Sequence, residues 1–246
     1  MQGKPGALPQ AARGRMIRSL GPWETLVDGV CVAFKAHLGW VNAVAVACGA
    51  EAVDCRDARR LDLVAGRDRE TAEPYHVAGG WQGLDQHPRP ADPAGIIRRG
   101  RQRQARAARR VLEGFRGELN GAGLRWTRAV VLVGRGWLGH DLEDILSSHA
   151  HIHVYEGEAI RDATRHALTG LGIAFVEQDE KSTLAAAADA LGVADPDAML
   201  KDHRPAAVTA WRKEERLLAL AAWLHRRPGA SHRTPEGRLA RDRQSS

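Results

Sequence analysis

Three histidines alternate at His149, His151 and His153, and two carboxylates follow at Glu156 and Glu158. On a strand the three imidazoles would share one face, because side chains alternate with a period of two. On a helix the set changes: His149, His153 and Glu156 fall at steps of four and three and line one face. Two imidazoles and a carboxylate on a single helical face form a ligand set for a divalent metal. The segment lacks the H-E-x-x-H placement that supplies a metalloprotease with its general base. The chemistry it suggests is metal binding, or metal-assisted phosphodiester cleavage with Glu158 alongside.

A second motif lies just upstream. Gly134-Arg-Gly-Trp-Leu-Gly139 follows an apolar run and fits G-x-G-x-x-G, and Glu156 comes 22 residues after its first glycine. That spacing is near the one at which dinucleotide-binding folds place a ribose-binding acid. Two features count against a dinucleotide. Trp137 and Leu138 put bulk where a pyrophosphate would approach. Three strand-like runs also precede the motif, whereas such a fold normally opens on its glycine-bearing strand. The alternative to a ligand loop is a tight turn with Trp137 packed on a sheet.

The third chemical feature is positive charge. The 246 residues carry a net charge of +6 and a pI near 9.7. Arg98, Arg99, Arg101, Arg103, Arg106, Arg109 and Arg110 crowd one segment. Such a track predicts salt-sensitive binding of a phosphate-rich ligand, nucleic acid by preference, through Arg98, Arg99, Arg103, Arg106 and Arg110 and the chain ends. Only five of the 36 basic residues are lysine. A GC-rich gene produces that bias too, so a solvated helix face is the competing reading. The three cysteines, Cys31, Cys48 and Cys55, match no zinc spacing. An odd count suits a reducing cytoplasm, and buried small hydrophobes are the expectation for them. No apolar run approaches a membrane span of roughly 18–20 residues, and no membrane partner is expected.

These groups must be positioned by a framework, and the hydrophobic pattern outlines one. Val30 to Ala47 reads as two β-rich runs around a turn at Ala36 to Gly39, and Ala52 to Ala65 supplies a third strand. Short connections make the three an antiparallel meander. Residues 67–93 are rich in Gly, Pro, Asp and His and read as a long connection, with Glu73-Pro-Tyr-His76 and Trp81 as its notable residues. Ile97, Ala105, Ala108, Val111, Leu112, Phe115 and Leu119 recur at helical steps over Ala94 to Leu119. A buried strand at Ala129–Val133, a helix at 155–170 and a strand from Ile173 follow. Then come a helix from Ser182 to Leu191, an irregular segment from Asp195 to Pro205, and a last helix from Ala207 to His225.

This order of elements resembles the ribonuclease H-like superfamily, and within it the bacterial Holliday-junction resolvases. The Val30–Ala47 hairpin with Gly39 at its turn, the run Gly157–Val176 and the alanine-rich segment Glu214–Trp223 carry the resemblance. It implies an α/β fold over residues 29–226: a mixed five-stranded sheet in which a three-strand antiparallel meander is followed by αβαβα. The strands are expected near 30–36, 40–48, 52–65, 129–134 and 173–177, the fourth parallel to the first. Residues 1–28 and 227–246 are expected to be flexible basic tails.

The resemblance also implies two divalent metals held by acids of the first strand, fourth strand and last helix, which stabilise the attacking and leaving oxygens of a phosphodiester. The sequence departs from that pattern. The first-strand position falls at or beside Lys35, and no acid occurs from Val30 to Gly49. The fourth strand ends in Gly134. The last-helix positions fall near Lys213 and Arg216, with Glu214 and Glu215 alongside, so that a one-residue shift restores an acid there. A lysine only donates hydrogen bonds and repels a cation. The expectation is a cleft converted to anion binding, in which Lys35 meets Glu156 or Glu158 as the reactive groups and His37 and His153 line the margin. Such a cleft needs no cofactor. The rival is a phosphodiesterase using a divalent ion such as Mg2+ or Mn2+ on His149, His153 and Glu156, with Glu158 alongside.

Overall fold

The computed structural model describes residues 29–64, 68–134, 139–202, 204–205, 208 and 210–227. The stretches 1–28 and 228–246, expected as tails, and the centre of the glycine turn, 135–138, lie outside them.

Three strands open the domain: β1 (Val30–Ala36), β2 (Trp40–Ala47) and β3 (Cys55–Asp62). Gly39 at φ +77° makes the β1–β2 turn, a conformation that costs glycine nothing. Two short helices follow, α1 (Arg69–Ala72) and α2 (Pro74–Gly79), then a small hairpin of β4 (Trp81–Gln82) and β5 (Asp85–Gln86). The long helix α3 (Pro93–Gly121) leads to β6 (Trp126–Val133). After the glycine turn come α4 (Leu142–Ser147), α5 (His149–Gly170) and β7 (Ala174–Asp179). The chain closes with α6 (Glu180–Leu191), α7 (Pro196–Lys201) and α8 (Lys213–Leu224).

The main sheet has the order β3-β2-β1-β6-β7. β1–β2 and β2–β3 are antiparallel, while β1–β6 and β6–β7 are parallel. This is the expected ribonuclease H-like arrangement. It is not the all-parallel sheet that a dinucleotide reading of Gly134–Gly139 requires, because β6 is an inner strand with an antiparallel block beside it.

Alternation along β1 assigns the two faces of the sheet. Val30, Val32 and Phe34 pack with Leu112 and Phe115 of α3 and Ile160 and Leu168 of α5. Cys31 and Ala33 pack with Leu218 and Leu220 of α8 and Ala187 of α6. Burial on both faces explains why β1 reads as a continuous apolar run from Val30 to Phe34. Cys31 is one of the fully buried residues, and burial pushes its thiol pKa up.

Several elements differ from expectation. The region 67–93 holds α1, α2 and the hairpin. Asp68 caps α1 by accepting from Thr71 N, and Pro74 opens α2. The cap of α6 is Asp179, which accepts from Lys181 N, and not Ser182. Asp195 caps α7 inside the segment expected to be irregular. The last helix starts at Lys213, six residues after the expected Ala207.

A third, smaller core lies away from the sheet, where Tyr75 and Ala78 of α2 meet Ile96 and Ile97 of α3 and Ile145 and Ile152 from α4 and α5. Gly100 permits this contact. A Cβ there would lie 2.3 Å from Glu70 O and 2.5 Å from Pro74 Cβ. Gly100→Ala must therefore push α1 and α2 off α3, and overpacking of this kind costs about 1–3 kcal/mol. Urea unfolding should show that loss, with the far-ultraviolet helix signal retained at zero denaturant.

Candidate functional site

Two clusters of chemically capable side chains emerge, on opposite faces of the sheet. The first stands at the carboxyl ends of the parallel strands β1, β6 and β7, where open α/β sheets leave a crevice. Lys35, near the end of β1, follows the parity of Cys31 and Ala33 and therefore projects toward α8. Its Nζ donates to Glu180 Oε1 at 2.7 Å and lies 3.3 Å from Glu214 Oε2. Glu214 also meets His37 Nε2 at 2.6 Å and accepts from Asn42 Nδ2. The His37 ring stacks on Trp40, with centroids 3.8 Å apart. A cavity of about 370 Å³ adjoins the cluster, lined by Gly134, Glu180, Lys181, Asp197, Lys213 and Leu217.

The electrostatics follow from these contacts. Burial alone would favour a neutral Glu214, but the hydrogen bonds from His37 and Asn42 and the charge of Lys35 outweigh it and hold the carboxyl at about 2. Lys35 responds in kind: burial opposes its charge, yet Glu180 and Glu214 raise its pKa. The set forms a network in which one ammonium is shared between two carboxylates.

This donor set does not fit a pair of divalent metals. The Lys35 ammonium lies against both Glu180 and Glu214, and the third acid of the adjoining cavity, Asp197, is paired with Arg216. An ammonium has no lone pair to offer and repels a cation. Glu214 is the acid that the one-residue shift along the last helix restores, and Glu180 is an acid that the sequence pattern did not single out.

The second cluster involves the His/Glu segment. α5 begins at His149, capped by Ser148, so the segment is helical. His149 and His153 lie one turn apart and meet His76 of α2. The His76 ring is 5.4 Å from that of His149 and 4.8 Å from that of His153, and the last two are 4.5 Å apart. Their candidate ligand atoms lie within 4.8 Å of one another. Burial, then the charges of His76 and His149, lowers the pKa of His153. His151 turns away and stacks on His140 at 4.0 Å.

Glu156 is only 1% exposed. Its Oε1 accepts from Tyr75 N at 2.8 Å and His76 N at 3.0 Å, and it lies 3.3 Å from His76 Nδ1. These amides are in the first turn of α2, which has no intrahelical acceptor for them, and Glu73 supplies no side-chain cap. Glu156 thus caps α2 from another helix. Burial raises its pKa, against the hydrogen bonds from His76 and Tyr75. Glu158 is engaged with Arg161 at 2.7 Å and Arg165 at 2.6 Å. Burial opposes its charge, but the two arginines hold its pKa low.

The expected cleft joining Lys35 to Glu156 and Glu158 does not form. Lys35 serves the α8 face of the sheet, while α5, which carries both acids, packs on the other. His37 belongs to the Lys35 cluster and His153 to the histidine cluster. Glu156 does not stand beside His149 and His153 as a third ligand; it stands behind His76. The histidine that completes the group came from the stretch read as a loop.

The arginines of α3 divide. Arg99 pairs with Asp92, Arg101 with Asp162, and Arg103 with Asp68 and Glu70. Arg106, Arg109 and Arg110 are exposed and form no ion pair among the described residues, and Arg98 is exposed as well. A cavity of about 670 Å³ between α3 and α5 is lined by Arg101, Arg106, Arg109, Arg165 and His166, with Asp162 as its single acid.

No protein-family model matches this chain, and no curated protein matches it. Among solved structures it is similar to T. thermophilus RuvC in complex with Holliday junction substrate, at 12% identity and a TM-score of 0.36, over 80% of this chain and 92% of that one. It is likewise similar to the Thermus thermophilus RuvC structure, at 14% identity and a TM-score of 0.35, over 80% of this chain and 95% of that one. Among the described residues, no helix is long and apolar enough to cross a membrane.

Proposed function

We propose that this ribonuclease H-like domain binds a phosphate-bearing polyanion, nucleic acid by preference, and does not cleave it by a two-metal mechanism. The observation that carries the reading is the Lys35 network. At the carboxyl end of β1, one ammonium is shared by Glu180 and Glu214, at 2.7 and 3.3 Å. Opposite charges this close keep each other ionised, and an ammonium already held by both carboxylates competes with a divalent cation for them.

The polyanion is assigned to the face of α3. Among the described residues Arg106, Arg109 and Arg110 form no ion pair, and the cavity between α3 and α5 carries more positive than negative groups. Backbone phosphates satisfy such arginines without regard to sequence. Arg99 and Arg103 are already ion-paired, so they contribute less than Arg98, Arg106 and Arg110, and Arg109 joins the set.

The test is a titration of labelled duplex and single-stranded DNA, and of RNA, at several salt concentrations. Binding should weaken steeply as salt rises. Each phosphate contact contributes about 0.9 to the slope of log affinity against log salt on duplex DNA. A triple variant with Gln at positions 106, 109 and 110 should therefore lose roughly 2–3 from that slope. Branched and linear substrates incubated with Mg2+ or Mn2+ should remain intact. An absence of binding at low salt would remove the polyanion reading. Metal-dependent cleavage that disappears in Glu214→Gln would overturn the non-nuclease reading.

A further inference from the structure

The histidine cluster is independent of the sheet-edge network and has its own supports. α2 and α5 meet over the third core, and Gly79 lets them close: a Cβ there would lie 2.7 Å from Trp81 Cδ1 and 2.9 Å from Ile152 Cδ1. His76 is buried, His149 half-buried and His153 exposed, so the group runs from the core to solvent. The ring planes cross steeply, at 71° for His76–His153, 80° for His76–His149 and 75° for His149–His153. Trp81 walls one side, its ring 4.8 Å from His149 and its Nε1 donating to Leu146 O.

We propose that His76, His149 and His153 form a three-histidine site for a zinc-class divalent ion, with one coordination position open to solvent, and that Glu156 is the positioning carboxylate behind His76. A carboxylate at Nδ1 favours the tautomer with its proton on that nitrogen, which leaves the Nε2 lone pair for a metal. Histidine ligands commonly carry such a carboxylate on the far ring nitrogen, fixing tautomer and ring orientation. Glu156 occupies this place while its hydrogen bonds to Tyr75 N and His76 N anchor the backbone of the same residue.

The dimensions suit an ion. Zinc–imidazole bonds of about 2.0–2.1 Å put tetrahedral ligand atoms roughly 3.3–3.4 Å apart. Nitrogens already within 4.8 Å reach that spacing through small side-chain rotations. Three neutral nitrogens select borderline ions such as Zn2+ and Co2+ over the oxygen-seeking Mg2+. Three protein ligands, the outermost of them exposed, leave a fourth position for water or an anionic oxygen. That is the pattern of an open zinc site and not of a closed structural one.

The test uses the full chain, stripped of metal and titrated with Co2+ and Zn2+. Co2+ should give the visible absorption of a tetrahedral nitrogen site at one ion per chain, Zn2+ should displace it, and excess Mg2+ should not. Because His76 is buried, the decisive variants are His149→Ala and the exposed His153→Ala. Each should keep the circular dichroism of the parent and lose the Co2+ band. Glu156→Gln should keep the fold and weaken binding about 10–100-fold. A chain that takes up no Co2+, or whose Co2+ band is unchanged in both histidine variants, would overturn the site. Affinity equal to wild type in Glu156→Gln would overturn the positioning role.

Discussion

Lys35→Met should lower the midpoint of thermal unfolding by roughly 4–8 °C, the equivalent of about 2 kcal/mol for a domain of this size. Removing one partner of a buried ion pair costs about 3–5 kcal/mol, because the other charge is left uncompensated. Lys35 and Glu214 are each 24% exposed at the side chain and Glu180 is 35% exposed, so solvent screens part of that cost. The pH dependence carries a sign. The pKa of Glu214 is depressed in the fold, so the stability it contributes is present above its ordinary value of 4.5 and is lost as pH falls toward about 2. The gap between wild type and Lys35→Met should therefore narrow through that acid window. Lys35→Asp is the informative companion. It places a third carboxylate against Glu180 and Glu214, and Mg2+ or Mn2+ should then stabilise the variant but not the wild type in a thermal-shift series. Equal stability of wild type and Lys35→Met at neutral pH would show that the network is an incidental surface contact.

Glu156 should behave in the opposite way. Glu156→Ala leaves the amides of Tyr75 and His76 buried without an acceptor, at about 1–3 kcal/mol apiece, and opens a cavity beside α2. A loss of about 3–5 kcal/mol follows, with unfolding at much lower urea. Glu156→Gln keeps an acceptor oxygen in the same place and should be nearly neutral. Here the pKa is raised by burial, so the folded state resists ionisation. Wild-type stability relative to the Gln variant must then fall as pH climbs above 4.5, the group's ordinary value. Urea titrations of both proteins near pH 4 and near neutrality would show it. A Gln variant less stable than wild type at neutral pH, by the margin of the Ala variant, would mean that the negative charge itself holds α2.

The sheet was legible in the sequence because its signals are local. Gly39 marks the first turn, Val30–Phe34 of β1 and Ala129–Val133 of β6 are unbroken apolar runs, and Gly123 and Gly172 precede the parallel strands β6 and β7. Counting by twos from Cys31 puts Lys35 with Ala33, but which helix covers that face is set by tertiary packing, so the sequence pointed Lys35 at Glu156 or Glu158 and not at Glu214. The site was harder, because its contacts join distant positions. Lys35 and Glu180 are 145 residues apart, and His76 and Glu156 are 80 apart. α2 is only six residues long and shows too little periodicity to betray itself. What stabilises it is an acceptor on α5, and no local rule can report that. Pro74 at its first position was the one cue available in the sequence.

The outer strand β3 has a further consequence. Arg56, Arg59 and Arg60 pair with Asp54, Asp57 and Asp62, each two residues away along the chain, with Asp54 just before the strand. A margin strand exposes unpaired amides and carbonyls that could recruit a second chain into a continuous sheet. The row of charges on β3 makes that docking costly, since a copy laid alongside would strip water from six ions at once. Self-association through this margin is thereby disfavoured.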